Sequence, residues 1–288
     1  MSDDGADDPV GDERPVVLLD LDGVVWLAHQ AIPGSVEAIA ALRARGHRVL
    51  FVTNNSAATI DAQEAALGAI GIPAVGDVLT SALAGALLVE PGERVLVCGG
   101  HGVIEALERR GAIPTRIDQA LRDADDAFGD AGSFDAVMVG LHRDFSYEGL
   151  RVATRAVRDG ARLIGTNDDA TYPTPDGPIP GGGALLAAFA TASGVEPVIA
   201  GKPYEPMAAL VRDAVGPARA RAAVMVGDRP STDGGFAQTL GCRYALVLSG
   251  VTARDAVVEP APDLVADDLA AVARVLLEGH AGGLAAHG

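Results

Sequence analysis

Residues 16 to 23 read Val-Val-Leu-Leu-Asp-Leu-Asp-Gly: four apolar residues in a row, then two carboxylates one residue apart. An apolar run this short, stopped by Asp and Gly, predicts a buried strand whose carboxyl end carries Asp20 and Asp22. On an extended chain, residues two apart face the same side, so both carboxylates can share one site. Two carboxylates that close repel unless a proton or a cation intervenes. A hard, oxygen-ligated divalent cation is the simplest remedy, and magnesium suits it. A plain surface turn is the bland alternative, but it does not explain the buried strand in front.

Working outward, strand-like runs alternate with Ala/Leu-rich helical stretches, which predicts an α/β fold with a largely parallel sheet. The expected sequence is a strand at Val16–Leu19, a helix over Ser35–Arg45, a strand at Arg48–Val52 and a helix over Ser56–Ile70. The pattern then restarts. It gives a helix near Ser81–Val89, a strand at Val95–Cys98, a helix over Gly102–Arg110 and a polar stretch Asp118–Ser133. After these come a strand at Ala136–Val139, a helix near Tyr147–Arg158 and a strand at Arg162–Gly165. The Pro/Gly-rich segment Pro173–Gly183 reads as a linker back into the first unit. That unit resumes with helices near Ala184–Ser193, Pro206–Val215 and Thr232–Leu240, strands at Val198–Ala200, Ala222–Val226 and Tyr244–Leu248, and a last helix Asp267–Leu277. The expected organisation is an acidic, disordered tail over 1–14, a core of 15–78 and 181–278, an inserted α/β cap domain over 79–180, and a frayed end from Gly279.

Three more strand ends carry polar residues. In open α/β sheets, ligands gather outside the carboxyl ends of the strands, so distant segments can converge there. Thr53-Asn54-Asn55-Ser56 offers a hydroxyl, amides and the free N–H groups of a helix start, a cradle for an anion. An ordinary helix cap explains Asn55 or Ser56 as well. Gly201-Lys202-Pro203 places a positive charge where phosphate oxygens could sit. It is no P-loop, because Pro203 stands where Ser or Thr is required. Gly227-Asp228-Arg229-Pro230-Ser231-Thr232-Asp233 adds two acids, making four with Asp20 and Asp22.

Composition limits the partners. Hydrophobic residues are 49% of the 288-residue chain and aromatics only 4%, so the core must be aliphatic. With 22 basic against 39 acidic residues the formal charge is −17, which argues against nucleic acid or an anionic membrane as a partner. The same charge would repel an anionic substrate unless a metal and Lys202 dominate the local field. Cys98 and Cys242 lack metal-ligand spacing and read as small core residues, which fits a reducing compartment. Acidic residues at the start and no apolar run of membrane length make a cytoplasmic location the expectation. Cys98-Gly99-Gly100-His101-Gly102 resembles a dinucleotide loop but has Glu105 in place of the third glycine.

Taken together, DLDGV (Asp20–Val24), TNNS (Thr53–Ser56), GKP (Gly201–Pro203) and GDRPSTD (Gly227–Asp233) resemble the motifs of haloacid dehalogenase (HAD)-superfamily phosphatases. VGLHRDFSY (Val139–Tyr147), GTNDDATYP (Gly165–Pro173) and PGGGALLAA (Pro180–Ala188) are similar to the NagD-like branch, subfamily IIA, with an α/β cap. The resemblance runs from about Pro15 to Val275. It implies a Rossmann-like core and hydrolysis of a small phosphorylated metabolite. It further implies Asp20 as nucleophile, forming an aspartyl-phosphate, and Asp22 as general acid and base. Lys202 would neutralise charge, and Thr53 with the backbone of Asn54 would hold phosphate oxygens. Asn55, Gly23 and, from the cap, His142 complete the expected substrate contacts. Mg2+ would be held by Asp20, the Asp22 carbonyl and Asp228, with Asp233 in support. His142 and Asp168 depart from the family pattern, where Asp and Pro are usual, as do Pro230 and Gly234. Trp26 is expected in the core or packed under a lid.

A closing cap would exclude phosphoproteins and leave small esters. The resemblance favours glycerol 3-phosphate first, with phosphoglycolate, sugar phosphates, pyridoxal phosphate and nucleoside monophosphates also open. Asp168, His142, Arg143 and Tyr172 are the expected choosers. A homodimer through the cap is a family habit. A phosphotransferase or phosphomutase on the same core is the nearest alternative, and a non-catalytic nucleotide-binding module the more distant one.

Overall fold

Alternate residues of the strand Val17–Leu19 point into two different cores, as the period of two along a strand dictates. Val17 and Leu19 join Val49, Phe51, Val224 and Val226 on one face, under the helices Ser35–Ala44 and Leu269–Glu278. Val16 and Leu18 join Leu50, Val52, Met225 and Leu246 on the other, under Glu205–Val215 and Gly235–Leu240. A strand covered on both faces needs a continuous apolar run, and Val16–Leu19 supplies one. The computed structural model describes residues 14–123, 133–172, 174 and 177–278. The expected tail over 1–14 (save Arg14), the frayed end from Gly279 and most of the polar stretch Asp118–Ser133 lie outside the described residues.

The core sheet has six parallel strands, in the order Leu264–Ala266, Arg243–Val247, Val224–Gly227, Val17–Leu19, Val49–Thr53 and Val78–Thr80. The chain winds outward in both directions from Val17–Leu19, so its carboxyl end sits at the switch point where a crevice opens. A second sheet of five parallel strands runs Val198–Ile199, Arg162–Gly165, Ala136–Val139, Arg94–Cys98 and Ile113–Arg116. Its two faces are separately packed. Cys98, Val137, Val139 and Leu163 meet the helices Tyr147–Arg158 and Gly182–Ser193, while Val95, Val97 and Met138 meet Ser81–Ala86 and His101–Arg110. This is the expected α/β core with an inserted α/β cap.

Several expectations about the path need correction. Val198–Ile199 pairs with Arg162–Gly165, and Leu186 and Phe189 of the preceding helix lie in the second sheet's core. The second sheet therefore extends to Ile199, beyond the expected edge at residue 180. Within the segment read as a linker, Pro173–Gly183, Ile179–Pro180 pairs antiparallel with the preceding Thr171–Tyr172, and a helix begins at Gly182. The helix expected from Ser56 starts at Ile60, because Thr59 caps it by accepting from the Ala62 N–H. Pro230–Gly234 is a wide turn of π-helical pitch before the helix Gly235–Leu240. The strands Val78–Thr80, Ile113–Arg116 and Leu264–Ala266 and the helices Ile117–Asp123 and Pro217–Arg221 were not anticipated. Among the described residues, no helix is long and apolar enough to cross a membrane.

The carboxyl edges of the two sheets face each other. Ser56 Oγ and Thr166 Oγ1 share a 2.9 Å hydrogen bond, and Asn167 Nδ2 donates to the Asn54 carbonyl at 2.8 Å. The glycine run after Cys98 serves this contact. The Gly102 N–H donates to the Ala57 carbonyl at 3.1 Å, and a Cβ on Gly102 would lie 2.1 Å from the Ala58 oxygen. The run brings backbone against backbone; it does not open toward a dinucleotide.

Candidate active site

Asp20 follows directly on Val17–Leu19, anchored by its own N–H to the Val226 carbonyl at 3.0 Å. The chain then turns sharply, with the N–H groups of Val25 and Trp26 both donating to the Leu21 carbonyl. Gly23 makes the turn at φ +90, and a Cβ there would sit 2.6 Å from Asp228 Oδ2. Gly23, expected to touch substrate, also makes room for an acid. Gly250 does the same from the other side, at 1.9 Å.

Lys202 is the electrostatic centre. It is 1% exposed, and its Nζ lies 2.7 Å from Asp20 Oδ1 and 2.7 Å from Asp233 Oδ1. Burial alone would lower its pKa, but Asp20 and Asp233 outweigh burial and hold it above the usual lysine range, so it stays charged. The Asn54 carboxamide clamps its backbone: Oδ1 accepts from the Lys202 N–H at 2.8 Å, and Nδ2 donates to the Lys202 carbonyl at 3.0 Å. Asn54 Nδ2 also donates to Asp169 Oδ2 of the cap, at 3.0 Å. Thr53 Oγ1 accepts from the Asn55 N–H, which fixes the hydroxyl at the strand end.

Asp20, Asp228 and Asp233 bring carboxylate oxygens within 4.8 Å of one another. Burial raises the Asp20 carboxyl well above its usual range; Lys202 pulls against it, and Asp233 and Asp228 add to it. Burial and the Asp233 charge push Asp228 up to about 6. Asp22 is raised too, by burial, which favours a carboxyl that carries a proton. Both Asp233 oxygens are engaged, one by Lys202 and one by the Arg229 N–H. Asp228 Oδ2 accepts from the Val251 N–H, while buried Asp228 Oδ1 has no hydrogen-bond partner among the described residues. An all-oxygen set with one orphaned buried oxygen fits a hard divalent cation. Asp20 and Asp228 have the oxygens to hold it, and Asp233 positions Lys202 and the loop.

Asp20, Asp22, Thr53, Asn54, Asn55, Lys202 and Asp233 line one cavity, about 70 Å3 in volume, between core and cap. His142 is not part of it. Its Nδ1 lies 3.0 Å from the Gly140 carbonyl, and its ring lines a separate cap cavity with Arg116 and Asp118. Asp168 accepts from the Tyr204 hydroxyl at 2.6 Å, outside that cavity, whereas Asp169, Tyr172 and Arg229 line it. Asp169 and Arg229 were not singled out in advance, although both stand within the quoted motifs. The doublet Asp168-Asp169, one turn past a strand end, was the available signal.

Five carboxylates (Asp20, Asp22, Asp169, Asp228, Asp233) meet two cations (Lys202, Arg229) here. Added positive charge would favour a phosphate in that field.

The chain resembles known proteins of one family. A sequence model of haloacid dehalogenase-like hydrolases matches residues 17–113, and a HAD-hydrolase-like model matches 199–272. The chain is 37% identical over 269 residues to a D-glycerol 3-phosphate phosphatase of Mycobacterium tuberculosis, covering 90% of this chain and 71% of that one. It is 33% identical over 242 residues to the 5'-nucleotidase YutF of Bacillus subtilis, covering 83% and 88%. Among solved structures, a hypothetical protein from Pyrococcus horikoshii OT3 superposes with a TM-score of 0.82 at 36% identity, covering 91% and 99%. The M. tuberculosis glycerol phosphate phosphatase in complex with magnesium superposes with a TM-score of 0.78 at 34% identity, covering 92% and 78%.

Proposed function

The chain belongs to the haloacid dehalogenase-like hydrolases, as a NagD-like phosphatase of small phosphate substrates, and we propose that it works through a phosphorylated Asp20 with Mg2+ as cofactor. The observation that carries this reading is Asp20 itself. One of its oxygens is held at 2.7 Å by a buried lysine, and a second acid, Asp22, stands two residues on.

Lys202 and the Thr53 strand end receive the phosphoryl oxygens and aim phosphorus at the Asp20 carboxylate. An Asp20 oxygen forms a bond to phosphorus as the ester P–O bond breaks. Asp22, kept protonated by burial, gives its proton to the departing alcohol oxygen. Its carboxylate then takes a proton from water as that water attacks phosphorus, and the Asp20–phosphorus bond breaks. Asp20 and Asp228, with the Asp22 carbonyl, would hold the metal. Bound magnesium supplies the positive charge that the five carboxylates lack and stabilises the phosphoryl oxygens.

Glycerol 3-phosphate is the substrate we favour, supported by the likeness to the mycobacterial enzyme. Phosphate release from p-nitrophenyl phosphate and glycerol 3-phosphate, with and without Mg2+, tests the reading. Turnover should require the metal and fall by about 10^4-fold or more in Asp20→Asn. Activity that survives this variant would eliminate the covalent route, because an amide cannot attack phosphorus.

A further inference from the structure

Lys202 serves the core site, yet the cap delivers it. The strand Val198–Ile199 is paired with Arg162–Gly165 in the second sheet, and Lys202 comes three residues after it. The partner strand runs on into Thr166-Asn167-Asp168-Asp169, so the two segments leave the cap edge side by side. The N–H groups of Ala200 and Gly201 prolong the pairing, donating to the Gly165 and Thr166 carbonyls at 2.9 and 2.8 Å. Where that ladder stops, the Asn54 side chain takes over. A Cβ on Gly201 would lie 2.5 Å from Asn54 Oδ1 and 2.7 Å from the Thr166 oxygen, so only glycine allows the approach.

Asn54 joins Lys202 to Asp169. A carboxamide has one acceptor oxygen and two N–H hydrogens. The oxygen takes the Lys202 N–H, while Nδ2 donates to the Lys202 carbonyl and to Asp169 Oδ2, both at 3.0 Å, which commits both hydrogens. Turned over, the same group would set its oxygen against two acceptors, the Lys202 carbonyl and the Asp169 carboxylate. Asp169 is itself well held. Its N–H donates to Asn167 Oδ1 at 3.2 Å, and its carbonyl accepts from the Gly183 N–H at 2.9 Å. Asn167 in turn donates to the Asn54 carbonyl at 2.8 Å. Lysine is a point charge on a flexible stem, so where its ammonium acts depends on how its backbone is anchored.

We infer that Asp169 is a positioning residue: it orients the Asn54 carboxamide, which fixes the Lys202 backbone so that the ammonium meets the phosphoryl group at Asp20. The inference rests on the phosphatase reading and adds to it a part played by the cap in the step common to every ester. Asp169 also lines the cavity around Asp20, so direct contact with the alcohol half of a substrate is the rival role. The two roles differ in kinetics. Positioning needs an acceptor oxygen but no charge, acts through Asn54, and is indifferent to the alcohol.

Steady-state rates with p-nitrophenyl phosphate and glycerol 3-phosphate at saturating Mg2+ test it, with melting temperatures measured alongside. In Asp169→Ala, kcat should fall about tenfold for both esters with KM within about threefold, and orthovanadate should inhibit about tenfold more weakly. Asp169→Leu, close in shape but without an acceptor, should behave in the same way. Asp169→Asn keeps an acceptor oxygen and should recover kcat to within about threefold of the wild type. Adding Asp169→Ala to Asn54→Ala should cost less than about twofold beyond Asn54→Ala alone, because the first residue acts through the second. Unchanged kcat in both the alanine and leucine variants overturns the inference, as does an asparagine variant as slow as they are. A loss confined to one ester and carried by KM, with vanadate inhibition intact, assigns Asp169 to the substrate instead, and losses that multiply in the double variant break the link through Asn54. A folded wild type that hydrolyses no phosphate ester removes the phosphatase premise, a result distinct from a working enzyme indifferent to Asp169.

Discussion

The two parallel sheets obey the same rules of construction and end in opposite chemistry. At the core edge the strands finish in Asp20, Thr53 and Asp228; at the facing cap edge they finish in Gly99, Gly140 and Thr166. The core edge concentrates buried charge, which Lys202 compensates in part through Asp20 and Asp233. The cap edge is cut back to small residues, so that its backbone can lie on Ala57 and Ala58. One rim supplies reactivity and the other supplies fit. Fold alone would not separate them; the residues placed at the strand ends do.

Removing the compensation at the core rim should have the larger effect. Lys202→Met leaves Asp20 and Asp233 buried without their cation, and breaking such an arrangement costs of order 3–5 kcal/mol. Phosphate release should fall by about 10^2- to 10^3-fold in the same variant, through loss of charge stabilisation. Denaturant unfolding together with steady-state rates checks both. If stability and rate were retained, the core rim would not differ from the cap rim in the way described.

The cap rim should break by sterics. Gly102→Ala sets a Cβ against the Ala58 oxygen, so backbone must shift, at about 1–3 kcal/mol. Activity should drop through KM as the cap seats badly, while Mg2+ binding at the core rim persists. Calorimetric titration with the metal alongside kinetics separates the two. Lost metal binding would show that the rims are not independent.

A smaller effect follows from protonation. The Asp228 pKa is raised in the folded protein to about 6, above its unfolded value. Its contribution to metal-free stability is therefore present below the unfolded pKa and lost as pH rises through about 6. Metal needs the deprotonated form, so the rise in melting temperature on adding Mg2+ should grow between about pH 5 and 7. Asp228→Asn should flatten that trend. A metal increment independent of pH in the wild type would place the cation elsewhere.

Much of this was legible before any coordinates. Asp20, Thr53, Lys202 and Asp228 each follow an apolar run, and a strand end in a parallel sheet is where a site forms. The strand Val198–Ile199 was legible as a strand but not as part of the cap. It is two residues long, and its partner is decided by how the chain crosses between sheets. Asp169 was hidden for a related reason: its contact with Asn54 spans 115 residues of sequence, and no local pattern marks it. Arg229 sat in plain view within a motif, but only the folded chain shows that it lines the cavity shared with Asp20 and Lys202. His142 was expected as a substrate contact from the cap; it lines a cap cavity with Arg116 and Asp118, apart from the one around Asp20, and only the fold of the cap decides which way it faces.

The account depends most on where the phosphoryl group rests between the two half-reactions. Asp22→Asn can still be phosphorylated by p-nitrophenyl phosphate, whose leaving group needs no proton, but cannot activate water well. Acid-quenched mass spectrometry of that variant should find one added phosphoryl group, on the peptide that contains Asp20. A phosphoryl group on any other residue, or none under conditions where the wild type turns over, would contradict it.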